Sequence, residues 1–434
     1  MVSRCSLEVL RDAACKWVES NLNVGSIAEA EEAVLEVSRR LAESMMSTAV
    51  KKLDRKETYE GASIACECGG QARFVSYRTR WVRTMCGDVQ VSRAYYHCKT
   101  CHSGASPWDS KQGLGGRVWS PGVKSLVAEM CARLTYSEVS KLLARVLGFG
   151  IEESSQQDIV ADIGSRMRGE ESHLMEECID SHKEMAPESA PNRLYISVDA
   201  AKAHTDGSWH DIKTAVVFEG REGTDDSGKT TDSMVDARYV AAQEPSEMFG
   251  RRVYLRALLS GLCLAKMVVA MGDGAEWIWN IIATHFPGCV EILDYYHACE
   301  HIWRLASVLY GEGSERGKRW AETRCRKLKS SGPDSLLRAL RRRKAKTAEQ
   351  QEALRVETGY FQDHRKRMDY PKYQAVGLMI GSGPVEAACK VVVGQRLKQA
   401  GMRWTAPGAD SILALRTAVL NGESHRIREL AKAA

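Results

Sequence analysis

Residues 193 to 297 carry the feature that most narrows the fold, an ordered change of hydrophobic periodicity. Alternation with a period of two marks RLYISVDA (193–200) and WHDIKTAVVFEG (209–220); a polar Gly/Asp/Ser/Thr stretch at 220–233 reads as a turn, and ARYVAAQ (237–243) resumes the alternation. Three successive strands make a meander. A helix from about Ser246 to Leu262 follows, then the apolar strand KMVVAMGDG, the helix AEWIWNIIATHF and the strand CVEILDYYH. Hairpins followed by alternating helix and strand require a mixed sheet with helices packed against it.

That order of elements is the order of a ribonuclease H-like fold, and the expected class is α/β. From Ala298 to about Tyr370 the chain is helical and highly charged, without strand signals. A turn-rich segment, MIGSGPVE, then opens a last long helix expected to reach about Gln399.

Two aspartates stand where the strands end. Asp199 is expected to close an apolar strand (Leu194, Ile196, Val198), a place where a carboxylate costs several kcal/mol unless it is paired or bound to a metal. Asp273 ends MVVAMGDG between Gly272 and Gly274, which allow close approach of a ligand or another backbone. Glu386 follows the Gly381-Ser382-Gly383-Pro384 turn in the first turn of a helix, where a negative charge is tolerated and its direction is fixed. Each acid alone reads as a cap or a surface residue. Together they have the composition of a two-magnesium phosphoryl-transfer site, with Asp199 bridging and Asp273 and Glu386 completing one ion each.

The first half of the chain has a different character. Ser6 to about Lys52 shows the amphipathic helical period (Val34, Val37, Leu41). Cys66, Cys68, Cys98 and Cys101 form a C-x-C and a C-x-x-C pair, flanked by Gly69 and Gly70 and separated by the β-rich runs ARFVSYRTRWVRT and DVQVSRAYYHC. A zinc ribbon held by the four thiolates is the best reading, with His97 and His102 as alternative ligands. Residues 121–167 give three helical segments, with Pro121 suited to a helix start and Ser154 to an N-cap. These suit a helix-turn-helix as well as an ordinary helical bundle. The stretch 168–192 is acidic and ends in a Pro/Ser-rich linker, a domain boundary.

Composition settles the broad class. At 434 residues the chain exceeds one ordinary core, which stops growing near about 250 to 300 residues. No stretch approaches the roughly 20 apolar residues that span a bilayer, and the first residues lack a secretory core, so a cytoplasmic protein is expected, with no membrane partner. Fourteen cysteines in such a compartment are metal ligands or small core residues, and Cys131, Cys263 and Cys289 read as core. The net charge of +5 says little, but basic runs at Arg341, Arg342, Arg343, Lys344 and Lys346 and at Arg365, Lys366 and Arg367 are clustered. Either run alone reads as a solvated helix face.

The runs YISVDAAKAHTDGSWHDIKTAVVFEG, GDGAEWIWNIIATHFPGCVEILDYYHACEHIW and YPKYQAVGLMIGSGPVEAACKVVVGQRLKQAGMRW, followed by ILALR, resemble DDE transposases of bacterial insertion sequences, the ISKra-type group, related to Mutator-like transposases. The resemblance implies that Asp199, Asp273 and Glu386 are the catalytic acids and that Asp294 and His297 match an auxiliary Asp-x-x-His element; a buried, satisfied histidine is the alternative for His297. It further implies double-stranded DNA as partner, both element ends and target, two Mg2+ (or Mn2+) per active site, a structural Zn2+ and at least a dimer on DNA. Lys390, Arg396, Lys398, Arg403 and Trp404 would then meet the backbone or stack on a base, Trp404 equally suiting a core position. The separation of Asp273 from Glu386 exceeds what the sheet needs, which makes the intervening helices an insertion. The domain plan is a helical region at 1–60, the ribbon at 61–110, a helix-turn-helix region at 111–185, the catalytic fold at 186–302 and 370–425 interrupted by the insertion at 303–369, and a tail at 426–434. Two rival functions remain, a DNA-binding regulator derived from a transposase and a ribonuclease H-like nuclease that does not transpose. After Asp199 the chain has Ala200-Ala201 where relatives have a glycine.

Overall fold

The computed structural model describes residues 4–52, 58–114, 118–183, 186–224, 228 and 230–432. They fall into two compact units. One takes the described residues up to Leu126, Ser140–Ile151 and those from Arg428 on; the other takes Val127–Val139 and Glu152–Ile427.

In the first unit the N-terminal region is two helices, Arg4–Asn21 and Ile27–Lys51, the second capped by the Ser26 hydroxyl, which accepts from the Glu29 N–H. An antiparallel sheet follows in the order β1 (Ser63–Ala65), β2 (Gln71–Thr84), β3 (Gly87–Cys98) and β4 (Gly104–Ala105). The two β-rich runs between the cysteine pairs are β2 and β3, paired from Ala72–Cys98 to Thr84–Gly87. One face buries Val82, Val89 and Val91 with Trp108 and Leu114, and the cysteine end buries Ala72, Ala94, Tyr96 and Cys98.

The second unit holds a five-stranded mixed sheet in the order β7-β6-β5-β8-β9, with β5 spanning Arg193–Thr205, β6 Ser208–Thr224, β7 Thr230–Ala242, β8 Met267–Gly272 and β9 Val290–Leu293. β5, β6 and β7 are antiparallel, while β8 and β9 run parallel to β5. Asp206 and Gly207, at φ 47° and 83°, turn the β5–β6 hairpin, the mirror-image turn whose twist matches its strands. The expected turn at 220–233 is mostly strand: β6 runs to Thr224 and β7 resumes at Thr230, while 225–227 and 229 lie outside the described residues. Polar side chains concealed this extension, and Asp232 within it is buried against Arg193 and Tyr195.

Helices cover the sheet and then continue alone. Ser246–Leu259 and Glu276–His285 alternate with the strands as expected. After β9 come Tyr295–Tyr310, Glu315–Ser331, Pro333–Arg341 and Ala348–Asp363, and among the described residues no strand follows β9. Glu153–Met175 packs on Ala406–Leu420 so closely that a Cβ on Gly164 would lie 2.6 Å from the Ser411 carbonyl oxygen. That helix starts after Glu152, so Ser154 is inside it and not its N-cap. The expected long final helix runs without a break from Gly383 to Leu397, widening to a π turn over Cys389–Gly394 between the α segments Gly383–Ala388 and Gln395–Leu397. Among the described residues no helix is long and apolar enough to cross a membrane.

Candidate functional site

Four carboxylates collect where the parallel strands stop. β5 does not end at Asp199 as expected, because β6 keeps pairing with it as far as Thr205; Asp199 faces Thr214 across that ladder. On its other edge the pairing with β8 stops at Val198–Gly272, one residue earlier. Asp273 is the next residue after β8, and Asp294 the next after β9, with its N–H bonded to the Gly272 carbonyl. The carboxyl ends of parallel strands are where α/β sheets open a crevice. Glu386 arrives from elsewhere in the chain, on the segment Gly383–Ala388, which packs on β5 and β6.

Each carboxyl is aimed by local hydrogen bonds. Asp199 Oδ1 accepts from the Ala200 N–H at 2.7 Å, and Cys389 Sγ lies 3.8 Å from its Oδ2. Asp273 Oδ1 accepts from the Ala275 N–H at 2.8 Å, and Asp294 caps Tyr295–Tyr310 by accepting from the Tyr296 N–H at 2.8 Å. Ser382 joins two of the acids: its Oγ is bonded to Asp294 Oδ2 and lies 2.9 Å from Glu386 Oε1. A hydroxyl has one proton to give, so it cannot satisfy both carboxylates at once. Ser382 was not singled out from sequence, although its place four residues before Glu386 is a helical neighbour's spacing.

The charges are uncompensated. Burial raises the pKa of Asp199, and the nearby Asp273 and Glu386 carboxylates raise it further against the Ala200 N–H. Burial likewise raises that of Asp294; the Ser382 hydroxyl lowers it and the Glu386 charge adds to the rise. Among the described residues none of the four acids has a Lys, Arg or His partner within 4.0 Å. Gathered negative charge without a cation from the protein suits metal ions or a cationic ligand. The oxygens are nonetheless not drawn to the mutual closeness of a single-ion cage.

His297 lies beside this cluster, 30% exposed, with Nδ1 3.4 Å from Glu300 and its ring 5.1 Å from that of His301. Of the residues expected along DNA, Lys390, Lys398 and Arg403 are exposed. Arg396 is a correction. It is fully buried, its Nε donates to the Cys131 carbonyl at 2.6 Å, and its guanidinium lies 5.1 Å from the Tyr136 ring and 4.8 Å from that of Trp404. No phosphate can reach it, and Trp404, half-buried and paired with the end of β5 through Thr205, is one wall of its pocket. Cys131 is buried as expected and Cys289 half-buried, but Cys263 is exposed.

In the other unit, Cys66, Cys68, Cys98 and Cys101 bring their sulfurs within 4.8 Å of one another, close enough to hold a metal ion. Cys66 and Cys101 are 3.6 Å apart and Cys68 and Cys98 3.7 Å. A tetrahedron with metal–sulfur bonds near 2.3 Å has edges of about 3.8 Å. The short C-x-C pair works because Cys66-Glu67-Cys68-Gly69-Gly70 is a closed turn: Gly69 N–H bonds to the Cys66 carbonyl and Cys66 N–H to that of Gly70. Gly69 has φ 83°, and a Cβ on Gly70 would meet Thr100 Oγ1 at 3.0 Å and Cys68 Sγ at 3.3 Å. The Ser103 hydroxyl and N–H pull the Cys101 thiol down to about 6.

No family model matches the chain, and no curated protein matches its sequence.

Proposed function

We propose that the chain is a DDE transposase whose second unit is a ribonuclease H-like catalytic fold and whose cysteine sheet is a zinc ribbon that helps bind the element's terminal repeats. The observation that carries this reading is the coincidence of strand order and acid placement. A sheet ordered β7-β6-β5-β8-β9, antiparallel on one side and parallel on the other, puts Asp199 at its centre and Asp273 beside it. Glu386 is delivered by a helix that follows a long helical excursion. A regulator would need no such gathering of unpaired acids.

The donor set fits magnesium, which takes oxygen ligands, keeps several waters, and needs only one or two protein carboxylates per ion with DNA phosphates completing the shell. That sharing explains why the three acids need not close on one ion. When bound, the two ions would activate the attacking water or 3′-hydroxyl and stabilise the leaving oxygen. The protein's part is to aim. Ala200 and Ala275 N–H groups hold one oxygen each of Asp199 and Asp273, and Cys389 Sγ lies against the second oxygen of Asp199. Ser382 ties Glu386 to Asp294, so Asp294 acts on the site through the hydroxyl, an auxiliary place in keeping with the Asp-x-x-His element. Exposed Lys390, Lys398 and Arg403 would contact phosphates, and a helix-turn-helix in the region 111–185 would read the repeats.

The test is cleavage and joining of duplexes taken from both flanks of the gene, in Mg2+ or Mn2+. Asp199→Asn, Asp273→Asn or Glu386→Gln should each abolish cleavage, a loss of at least about a thousandfold, with DNA binding retained. Retained cleavage in any variant removes that acid from the site. Nicking without transfer of a 3′ end would assign a hydrolytic nuclease instead.

A further inference from the structure

Beside the acids, two helices present matching polar faces. Tyr295–Tyr310 starts at Asp294 and carries His297 and His301 three and seven residues on, along one side. Ala348–Asp363 packs against it with Glu357 and Tyr360, and His364 follows at the same spacing. His301 Nδ1 lies 2.7 Å from Glu357 Oε2. Its ring stacks on Tyr360, with centroids 3.7 Å apart and planes at 10°. A carboxylate that holds one ring nitrogen fixes both the orientation of an imidazole and its tautomer.

Tyr360 ends in an anomaly. Its hydroxyl is shut off from water and has no hydrogen-bond partner. It lies against Gly274, where a Cβ would come within 2.7 Å of Oη, so the glycine after Asp273 is what makes room for it. Burial first, then the charges of Asp273, Glu357 and Asp294, hold the phenol's pKa far above its ordinary value, so the group keeps its proton. A buried donor with an unplaced proton, packed against the residue after Asp273, lacks the acceptor that buried polar groups ordinarily have.

We propose that Tyr360 donates a hydrogen bond to a non-bridging phosphate oxygen of the DNA strand held at the acids, and that His301 and Glu357 are positioning residues that fix the phenol's direction. This rests on the transposase reading and adds a substrate contact from the helical segment between β9 and Glu386, outside the three acids and the Asp-x-x-His element. Glu357 fixes His301, His301 forms the platform under the Tyr360 ring, and Gly274, lacking a Cβ, lets the phenol lie against the backbone next to Asp273.

The experiment is single-turnover cleavage of the flanking duplexes in Mg2+. Tyr360→Phe should slow cleavage about a hundredfold, the scale for one donor to an oxygen that gains charge, while the dissociation constant for the duplex stays unchanged. A contact is separated from a structural effect by placing a methylphosphonate at each phosphate near the cut. At the contacted phosphate it should slow the wild type and add nothing to Tyr360→Phe. Glu357→Gln should likewise slow the wild type but not Tyr360→Phe. Tyr360→Phe cleaving at the wild-type rate, or losses that multiply at every phosphate, overturns the inference and leaves the three acids standing. A wild type that cleaves no DNA in either metal overturns the transposase reading, and this contact with it.

Discussion

A part-buried acid with other acids beside it works against the fold that holds it. Asp199 is more easily protonated folded than unfolded, because burial and then the neighbouring carboxylates disfavour its charge. Stability is therefore lost as pH rises through the window just above the ordinary carboxylate value, and the loss is complete once Asp199 is ionised in both states. Asp199→Asn should raise the unfolding free energy at neutral pH in magnesium-free buffer by on the order of 1 kcal/mol, a figure kept small because solvent screens a half-exposed group. The gain should shrink as the pH is lowered toward the carboxylate range; an equal or lower melting midpoint at pH 7 would contradict it. The acids were legible in the sequence because Asp199 and Asp273 each follow a run of strand-forming residues, Asp273 between two glycines, while Glu386 follows a Gly-Ser-Gly-Pro turn at the start of a helix. Arg396 was not: a cation in VVVGQRLKQ reads as surface, and only the arrival of Tyr136 and Trp404 from distant segments makes it core. Nor could Glu357, Tyr360 and His301 be recognised as a set, since their contacts join helices far apart in sequence.

Elements were read well where one period dominated and poorly where polarity masked it. β2 and β3, and β8 with its flanking helices, sit where the alternation and helical spacing place them. β6 and β7 reach into residues that resembled a turn, since a two-stranded extension needs backbone pairing but few apolar side chains. The final helix widens into a π turn at Cys389–Gly394, whose first residue, Cys389, lies against Asp199; no side-chain pattern announces a widened turn. The cysteine turn was legible as ligand spacing, while its closure over Gly69 and Gly70 was not. Cys98→Ser with Cys101→Ser should take bound zinc from one equivalent to none and cost several kcal/mol of stability in the β1–β4 sheet. Elemental analysis of the purified variant checks this, and unchanged metal content would refute the ribbon. Gly70→Ala alone should weaken zinc retention against a chelator, because its Cβ has to displace Thr100 or a ligand sulfur; retention equal to the wild type's would mean that the turn yields.

At the scale of the molecule, the chain passes between its two units four times, since residues 140–151 and those from Arg428 on belong with the N-terminal unit. Sequence periodicity marks where elements begin and end, but not which unit claims each, and the linear domain plan could not show this interleaving. One consequence concerns time. Gly113 lies directly under the carbonyls of Ala431 and Lys432, with no space for a Cβ. A ribosome releases the material for the cysteine-bearing half early, yet the backbone that covers Gly113 is made only after the whole of the second unit. The packing of that half is thereby completed only after the segment with Glu386 has already been made.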